Sequence, residues 1–544
     1  MAQSDSVIIS TFMRLYAPLA NLPIALQIFV SLLLATVSWV AYNFFLRHRG
    51  IPGPLYARLG IPYYLAWRAL KLDWIWHVQD LHNKYGPVVR ITPNQIDISS
   101  PSALQSIYSF SASNYLKPRH FYDGFVLFKG NPSIFSDCDP HSHAARRRVL
   151  SGAYALNYLV KLEECVDPMI DLLIKSMRRK VRNGEISQDM TQTLHMFAMD
   201  AVGELAFGEH FGLLQKMADP TRFLRGASNL SQWGGAFAYM PPGVMGHVRN
   251  FLKRYYNEPG PEVIGIHTKA RINRRFALLA EGKEGERPDM LAKFIDAKNP
   301  DGTRCTPMQV TFNSSSVIAA GSDTTALALA ATLRYLVANP RCYARVQAEV
   351  DEAFETGKLK EPCMYGTAVK LNYLQACAKE ALRLHPPIGM SLPRVVPKGG
   401  DVIDGRFYPG GTTVSISAYV LHRDPKIWGA DANEYRPERW TDGKGGEEER
   451  KNLERNFFTF GGGSRICIGK NISLMEITKA LPRLLWHFNF KASARPEGWV
   501  GRDSDGSTGP DIPWYVTSSW FLNAEHLLLD VNLRRPEEDF DDDD

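Results

Sequence analysis

The stretch Phe460-Gly461-Gly462-Gly463-Ser464-Arg465-Ile466-Cys467-Ile468-Gly469 is the most informative part of this chain. Its glycines precede an apolar stretch, residues 468–488, that is predicted to be a helix, and they let the backbone approach a large flat ligand closely. Cys467 falls near the start of that helix, where free N–H groups and the helix dipole favour a thiolate over a thiol. A thiolate held in a fixed loop is a suitable axial ligand for iron. The alternative is a buried structural cysteine beside an ordinary turn.

A second informative stretch is Ala320-Gly321-Ser322-Asp323-Thr324-Thr325, in the middle of a long helical pattern. Thr306-Pro307 is a good helix start, and the pattern continues to about residue 338, which predicts a helix roughly 48 Å long. Glycine, aspartate and threonine are poor helix formers, so their clustering here requires a reason. Thr324 can hydrogen-bond to the backbone of the preceding turn and open the helix locally. The alternative is a polar helix face with a chance glycine.

Together these two stretches resemble the cytochrome P-450 monooxygenases, in the haem-binding loop and in the Ala/Gly-Gly-x-Asp-Thr-Thr signature of that family. The resemblance implies that Cys467 is the axial ligand of the iron in haem b. It also implies that the Thr324 hydroxyl hydrogen-bonds to the oxygen being activated and that Asp323 relays protons. The other residues of these stretches implied to contact the haem are Phe460, Gly461, Gly463, Arg465, Gly469 and Gly321.

Two further motifs are similar to the scaffold of the same family. Glu380-Ala381-Leu382-Arg383 stands near the end of a predicted helix with both charges on one face, and Pro437-Glu438-Arg439-Trp440 follows it. Taken alone, Glu-x-x-Arg is most often an exposed pair of small energetic value. The resemblance implies a buried three-way salt bridge of Glu380, Arg383 and Arg439 that fixes the cysteine loop.

Cations for the haem propionates are implied at four positions. His143 and Arg147 belong to a stretch that resembles the family's Trp-x-x-x-Arg element, with histidine in place of tryptophan. A histidine can still donate a hydrogen bond to a propionate. Arg394 and Arg465 complete the implied set, although any one of these arginines is also compatible with ordinary surface charge.

A membrane anchor is predicted at residues 24–46, which contain no charged residue and would form a helix of about 34 Å. A buried core helix is the alternative. Three basic residues follow at positions 47–49, so the positive-inside rule places residues 1–23 in the lumen and the rest in the cytosol. Residues 47–60 are predicted to be a basic, proline-rich hinge. The arrangement resembles microsomal members of the family and implies the endoplasmic reticulum membrane, with a single span.

Composition indicates a large globular protein, with 544 residues of which 45% are hydrophobic and 22% charged. We predict one haem-thiolate catalytic domain, residues 61–535, followed by an acidic tail at 536–544. The seven cysteines form no C-x-x-C pair, which fits a reducing compartment. The net charge of +6 does not indicate nucleic-acid binding.

Helical patterns dominate the region from about residue 150 to 338, whereas short strand patterns occur at 88–92, 95–98 and 392–417. Residues 514–531 are predicted to form a hairpin of two strands around Asn523-Ala524-Glu525. The predicted fold class is therefore mainly α with small β-sheets (α+β). The resemblance implies the cytochrome P-450 fold, preceded by one N-terminal transmembrane helix.

The resemblance further implies a membrane-anchored monooxygenase that inserts one oxygen atom from O2 into a lipophilic small molecule. Electrons would come from NADPH through a separate cytochrome P-450 reductase, with cytochrome b5 as an optional second donor. The chain after Gly469 looks like fungal members related to pisatin demethylase, so a terpenoid, polyketide or alkaloid of secondary metabolism is the expected substrate. Two alternatives remain: a haem-thiolate isomerase or dehydratase, and a non-catalytic haem-binding membrane protein.

Substrate choice is expected to depend on four segments, residues 114–128, 232–244, 387–392 and 513–519. They carry aromatic side chains that suit a lipophilic ligand. Those of interest are Phe121, Tyr122, Phe125, Trp233, Phe237, Tyr239 and Trp514.

Overall fold

Helices make up most of the chain in this computed structural model. It describes residues 23–535 apart from 62, 113, 127–131, 221, 241–243, 245–246, 249–250, 252–261, 284–287, 442–445 and 509–510. The predicted lumenal segment, except for its last residue, and the acidic tail at 536–544 lie outside the described residues. The predicted fold class, mainly α with small sheets, is confirmed.

The helices of seven or more residues in the described part are labelled in chain order. They are α1 Ile24–Ala41, α2 Tyr64–Leu70, α3 Trp74–Tyr85, α4 Pro101–Tyr108, α5 Pro140–Ser151, α6 Glu163–Arg182, α7 Met190–Phe207, α8 Phe223–Phe237, α9 Glu262–Ala280, α10 Met290–Asp296, α11 Pro307–Ala338, α12 Pro340–Glu355, α13 Asn372–Leu384, α14 Gly446–Asn456 and α15 Lys470–His487. Four-residue helices occur at Leu55–Arg58, Arg119–Tyr122, Leu156–Leu159, Leu213–Lys216, Tyr365–Ala368, Ala418–Leu421 and Pro425–Trp428.

Four small sheets lie at the edges of the helical body. Their strands are β1 Val88–Arg90, β2 Gln95–Ile98, β3 Ser187–Asp189, β4 Arg394–Val395, β5 Asp401–Ile403, β6 Arg406–Tyr408, β7 Thr413–Ser415, β8 Phe488–Ala492, β9 Tyr515–Ser518, β10 Leu522–Glu525 and β11 Leu528–Leu533. The strand orders are β1-β2-β7-β4, β10-β9, β3-β11-β8 and β5-β6. Strand β2 pairs with β7 in parallel, and the other pairs are antiparallel.

The long helix α11 crosses the centre of the molecule and has the start that the sequence predicts. The Thr306 side chain accepts a hydrogen bond from the Gln309 N–H at 3.2 Å, and the Gln309 side chain accepts one from the Thr306 N–H at 2.8 Å. Helix α7, buried along almost its whole length, packs against α11. The two helices lie close together at Gly321, where an added Cβ would lie 2.9 Å from a methyl of Val202.

The predicted C-terminal hairpin has its turn at another place. Strands β9 and β10 pair with Leu522 opposite Ser518, so the turn is formed by residues 519–521. Asn523-Ala524-Glu525, the predicted turn, lies within β10. The physical reason is that Ala524 is buried in the core and the following apolar strand β11 pairs with β8 and β3 in a different sheet.

The N-terminal helix is long and apolar enough to cross a membrane and continues as one π-helical turn, Tyr42–Leu46. No residue of its most apolar window is buried, whereas 72% of the corresponding window of α11 is buried, as expected of a core helix. Its C-terminal end contacts the catalytic part of the chain. The fully buried Asn43 receives a hydrogen bond from Arg90, which also donates to the Arg47 carbonyl at 3.0 Å.

Candidate active site

A cavity of about 320 Å³ lies between the middle of α11 and the cysteine loop, which we define as residues 457–469. Helix α11 contributes Ala320, Gly321 and Thr324 to its wall. The cysteine loop contributes Phe460, Gly461, Arg465, Cys467 and Gly469. The structure therefore brings the two informative stretches of sequence, about 140 residues apart in the chain, to the wall of one cavity.

The cysteine loop is held by its own backbone hydrogen bonds. The Cys467 N–H donates to the Phe460 carbonyl at 2.8 Å, and the Gly461 N–H donates to the Phe458 carbonyl at 2.9 Å. Gly461 has a φ of 72° and Gly463 a φ of 58°, in the region that favours glycine. A Cβ on Gly463 would lie 2.4 Å from the carbonyl oxygen of Tyr108. Gly463 thus packs against the end of α4 and is not on the cavity wall, unlike Gly461 and Gly469.

The Cys467 thiol opens into the cavity at the N-terminus of α15. The backbone N–H groups of Gly469 and Lys470 point at its sulfur, as predicted for a helix start, and these groups and Arg147 lower its pKa. Burial has the larger effect and raises the pKa of Cys467 above its ordinary value. The Cys467 side chain is exposed to the cavity, so a metal ion bound there would reach this thiol and deprotonate it.

Thr324 and Gly321 occupy the places predicted for them on α11. The Thr324 hydroxyl lines the cavity and donates to the Ala320 carbonyl one turn earlier, at 2.8 Å. The same oxygen keeps lone pairs to accept a further hydrogen bond from the cavity. Thr324 therefore places a hydroxyl oxygen at the cavity wall while its hydrogen is bonded to the Ala320 carbonyl.

Asp323 is buried behind this wall and is not one of the residues that line the cavity. Burial raises the pKa of its carboxyl, and His195 on the adjacent helix α7 opposes that rise. Its nearest hydrogen-bond donor is the Ser322 hydroxyl at 3.4 Å. A carboxyl with a raised pKa takes up a proton more readily than an ordinary one, which is a property that a proton relay requires.

The three-residue salt bridge, which we call the triad, has the arrangement that the resemblance implies. Arg383 donates to both oxygens of Glu380, at 2.8 and 2.9 Å, and Arg439 donates to one of them at 2.9 Å. Arg383 uses its remaining N–H groups on the carbonyls of His422, Ala432 and Glu434. The Trp440 indole also donates to Glu380, at 3.0 Å. Every charge in the triad is therefore paired and hydrogen-bonded within the chain.

A second group of cations, which we call the cation cluster, consists of Lys117, His143, Arg147, Arg394 and Arg465. All but Arg394 line the cavity. Arg394 lies behind the wall and donates to the Tyr122 hydroxyl at 2.8 Å and the Pro393 carbonyl at 2.9 Å. Arg147 donates to the Ile466 carbonyl at 2.9 Å and Arg465 to the Asp137 carbonyl at 2.8 Å.

Electrostatic repulsion is strong within the cation cluster. Burial, followed by the neighbouring Arg465, lowers the pKa of His143 to about 3. Burial and then Arg394 lower the pKa of Arg465 to about 10, and the same two causes take the pKa of Lys117 well below its ordinary value. None of the five forms a side-chain ion pair with a carboxylate in the described part of the chain. Uncompensated cations around a cavity fit a dianionic ligand, and together with the Cys467 thiol they fit a haem with its two propionates.

Lys117 was not predicted as part of this site. Its ammonium group donates to the Phe135 carbonyl and lies 4.4 Å from the centre of the Tyr122 ring. Nothing in the local sequence distinguishes it from the many surface lysines, since only the folded loop brings it to the cavity.

Glu476, on α15, is a second residue that sequence reasoning missed. Neither of its carboxyl oxygens has a hydrogen-bond partner among the described residues, and burial raises its pKa to about 8. The Thr325 hydroxyl, which partly opposes that shift, donates to the Ser473 hydroxyl at 3.2 Å. Thr325 and Ser473 both line the cavity.

The remaining wall is mainly apolar, with aliphatic and aromatic side chains, and it corrects part of the predicted substrate segments. Phe125, Ile388, Met390 and Leu392 line the cavity as expected, but Trp514 does not. Its place is taken by Trp520 and Phe521, beyond the predicted segment 513–519. The rings of Phe125, Phe135 and Trp520 pack with centroids 4.5 to 5.5 Å apart. Phe121, Tyr122, Trp233, Phe237 and Tyr239 lie outside the lining, and residues 127–128 and 241–243 lie outside the described part.

Comparison with known proteins agrees with this geometry. The sequence profile described as Cytochrome P-450 matches residues 58–498. The chain is 33% identical to the cytochrome P-450 monooxygenase cicH of Emericella nidulans, over 94% of this chain and 98% of that protein. It is 32% identical to the monooxygenase gsfF of Penicillium aethiopicum, over 86% and 93% of the two chains. It is 32% identical to a pisatin demethylase of Fusarium vanettenii, over 90% and 92%.

Proposed function

Because this chain belongs to the cytochrome P-450 family and is a monooxygenase by its relatives, we propose that its substrate is an uncharged lipophilic molecule of fungal secondary metabolism. The observation that carries this proposal is the apolar wall. The charged groups on the cavity wall belong to the cation cluster and Cys467, whereas Phe125, Phe135 and Trp520 offer no ionic partner. A terpenoid, polyketide or alkaloid in its neutral form suits such a wall.

The haem-thiolate group, when bound, supplies the chemistry of dioxygen activation, in which one oxygen atom enters the substrate and the other leaves as water. Cys467 would hold the iron, and Lys117, His143, Arg147 and Arg465 would hold the propionates. The aromatic wall excludes water and orients the substrate by contact. The Thr324 hydroxyl lines the cavity and would donate a hydrogen bond into it by turning away from the Ala320 carbonyl, and Asp323 would hold a proton behind it.

Two electrons and two protons are needed for each oxygen atom inserted, and the chain has to receive the electrons from a redox partner. We propose NADPH as their source, through a separate cytochrome P-450 reductase, with cytochrome b5 as an optional second donor.

The isomerase or dehydratase alternative has no use for a proton-holding pair, so the placement of Asp323 behind Thr324 favours the monooxygenase.

The decisive experiment compares metabolites of the native host with those of a strain lacking this chain. A precursor one oxygen atom lighter than the lost product supports oxygen insertion. Incorporation of label from isotopic dioxygen by the purified enzyme, with reductase and NADPH, then fixes the source of that atom. A pair of metabolites that differ only by a rearranged skeleton would instead support the isomerase. No change in metabolites would support the non-catalytic protein.

Thr324→Ala tests the proposed hydrogen-bond donor. Product formation should fall by on the order of 100-fold while NADPH oxidation continues, because a positioned proton donor contributes about that much. The matched control is Thr311→Ala, an exposed threonine on the same helix whose hydroxyl makes the same bond to the carbonyl one turn earlier, at 2.8 Å. Equal activity of the two variants would contradict the role of Thr324.

We also propose that α1 anchors the protein in the endoplasmic reticulum membrane, with residues 1–23 in the lumen. The contact of Asn43 with Arg90 supports a fixed connection between the end of this apolar helix and the rest of the chain, in place of the predicted hinge. Arg90 is buried and donates to Asn43, Arg47 and Pro93, and its acceptors at the helix end carry partial negative charge. Resistance of the protein to extraction by alkaline carbonate, and loss of that resistance on removal of residues 1–46, would test the anchor.

A further inference from the structure

His422 connects the triad to the cysteine loop. It follows the short helix Ala418–Leu421 and is completely buried, with its ring stacked on Phe457 at 5.5 Å and an interplanar angle of 8°. Its Nδ1 lies 3.0 Å from the carbonyl oxygen of Arg383, and its Nε2 lies 2.8 Å from the backbone nitrogen of Phe458. The Arg383 guanidinium in turn donates to the His422 carbonyl at 2.6 Å.

These two contacts permit one protonation state of the ring. The Arg383 carbonyl only accepts, so Nδ1 must carry a hydrogen. The Phe458 N–H only donates, so Nε2 must be bare. An imidazolium would place two N–H groups against each other at the Phe458 contact and break it.

The charged surroundings of the ring favour this neutral state. Burial, and then the cations of Arg383 and Arg423, lower the pKa of His422 to about 3. The nearest acid on α13, Glu380, is already taken by Arg383 and Arg439. Asp431 pairs with Arg439 as well. The cysteine-loop side of the ring presents Phe457 and Phe458, which carry no charge.

The Phe458 contact is close to the iron ligand along the backbone. The Phe458 carbonyl accepts from the Gly461 N–H, and the Phe460 carbonyl accepts from the Cys467 N–H. The Thr459 hydroxyl adds one more bond to α13, at the Leu382 carbonyl, 3.1 Å away. Release of Phe458 would therefore loosen the loop segment 458–461, to which the Cys467 backbone is hydrogen-bonded.

We propose that His422 is a positioning residue for the iron ligand: its neutral ring ties the Phe458 backbone to the triad helix, and its protonation in acid releases the cysteine loop. The proposal rests on Cys467 being the haem ligand, and it adds a residue that acts through the loop without touching the haem. It also assigns the acid sensitivity of thiolate ligation to this ring.

Two amide substitutions separate the two contacts of the ring. A glutamine oxygen reaches the position of Nε2 and can accept from the Phe458 N–H, whereas an asparagine reaches only the position of Nδ1 and leaves that N–H unpaired. His422→Gln should keep the red-shifted Soret band of the ferrous carbonyl complex that a thiolate ligand gives. His422→Asn should lose that band about tenfold faster on storage or mild heating, because a buried N–H is left without an acceptor. Equal rates for the two variants would overturn the proposal.

Acid titration gives a readout that a purely structural residue would not change. The holoenzyme should lose the thiolate band as the pH falls, and His422→Gln, which has no ring to protonate, should lose it at a lower pH. His141→Gln, the same substitution at an exposed histidine of α5, is the matched control and should titrate as the parent protein does. An unchanged midpoint in His422→Gln would overturn the acid-release part of the proposal.

Hydrogen exchange in the unmodified holoenzyme tests the same contact without any substitution. The Phe458 amide should be protected at neutral pH and lose protection in step with the thiolate band in acid. Loss of the band with Phe458 still protected would contradict the proposal. A parent protein that never shows the thiolate band would refute Cys467 as the ligand, which is a failure of the proposed function and distinct from the other outcomes.

Discussion

The triad and the cation cluster both hold basic side chains away from bulk solvent, yet they differ in how the chain compensates the positive charges. In the triad, Glu380 accepts from Arg383, Arg439 and Trp440, and backbone carbonyls take the remaining N–H groups. In the cation cluster, backbone carbonyls are present but no carboxylate pairs with the charges in the described residues. The first arrangement is complete within the chain and is therefore structural. The second is complete only with an anion in the cavity and is therefore a binding site.

The largest effect is expected from breaking the complete arrangement. Arg383→Ala removes two of the hydrogen bonds to the buried Glu380 carboxylate and the donor of three carbonyls, so we expect a loss of about 4 kcal/mol in unfolding free energy. Because His422 and the cysteine loop depend on Arg383, bound haem should be lost with it. Thermal unfolding and the haem-to-protein absorbance ratio measure both effects.

Arg341→Ala provides the comparison for Arg383→Ala. Arg341 also forms a two-point salt bridge, with Glu438 at 2.7 and 3.2 Å, but its side chain is 67% exposed. An exposed pair of this kind contributes at most about 1 kcal/mol. Similar losses of stability in the two variants would mean that burial of the triad is not what makes it important.

Glu476 extends the comparison to a buried acid that has no ion-pair partner in the described part of the chain. Its pKa is about 8 in the folded protein, above the ordinary 4.5, so it is neutral at pH 7 when folded but ionised when unfolded. The unfolded state therefore gains stability relative to the folded state as the pH rises from the ordinary pKa toward 8. Glu476→Gln removes the ionisable group and with it this stabilisation of the unfolded state, so it should raise the unfolding free energy at pH 7 by about 3 kcal/mol.

The pH dependence distinguishes this explanation from a simple packing effect. The gain from Glu476→Gln should vanish near pH 4, where the carboxyl is protonated in both states, and grow up to about pH 8. Glu355→Gln, at an exposed position on α12, should change stability little at any pH. A gain that is the same at acid and neutral pH would be a packing effect and would contradict the raised pKa of Glu476.

The triad and four of the five residues of the cation cluster are predicted through the family resemblance, whereas Lys117 is not. Glu380 and Arg383 lie one helical turn apart, a spacing that is common in exposed pairs, so the Pro437–Trp440 motif and the family pattern are needed to identify the triad. Lys117 belongs to no such motif and reaches the cavity only because separate loops meet in the folded protein. The same applies to Trp520 and Phe521, whose turn was predicted four residues away, because strand pairing of β9 with β10 depends on the burial of Ala524.

His422 and Glu476 illustrate the opposite limit of sequence reasoning. Both occupy ordinary local contexts, a residue after a short helix and a residue inside a helix, and neither belongs to a pattern with a known chemical meaning. Their importance comes from what their side chains meet across the fold: an N–H and a carbonyl for His422, and for Glu476 a buried place beside the Thr325 hydroxyl with no cation paired to it among the described residues. Such roles follow from three-dimensional contacts and are not encoded in spacing.

The smallest effect, and the most direct test of the comparison, is expected at Lys117. Lys117→Met keeps the length of the side chain but removes a buried charge that has no carboxylate partner, so the fold should be as stable or more stable without haem. With haem bound, a propionate loses a cation, and haem should dissociate about tenfold faster, which corresponds to about 1.4 kcal/mol. Transfer of haem to an excess of an apo-globin measures that rate. Lys117→Arg, which keeps the charge, should resemble the parent protein. Removing a cation that serves to bind haem should leave the stability without haem unchanged or higher and lower the retention of haem. Removing a structural cation such as Arg383 should lower both.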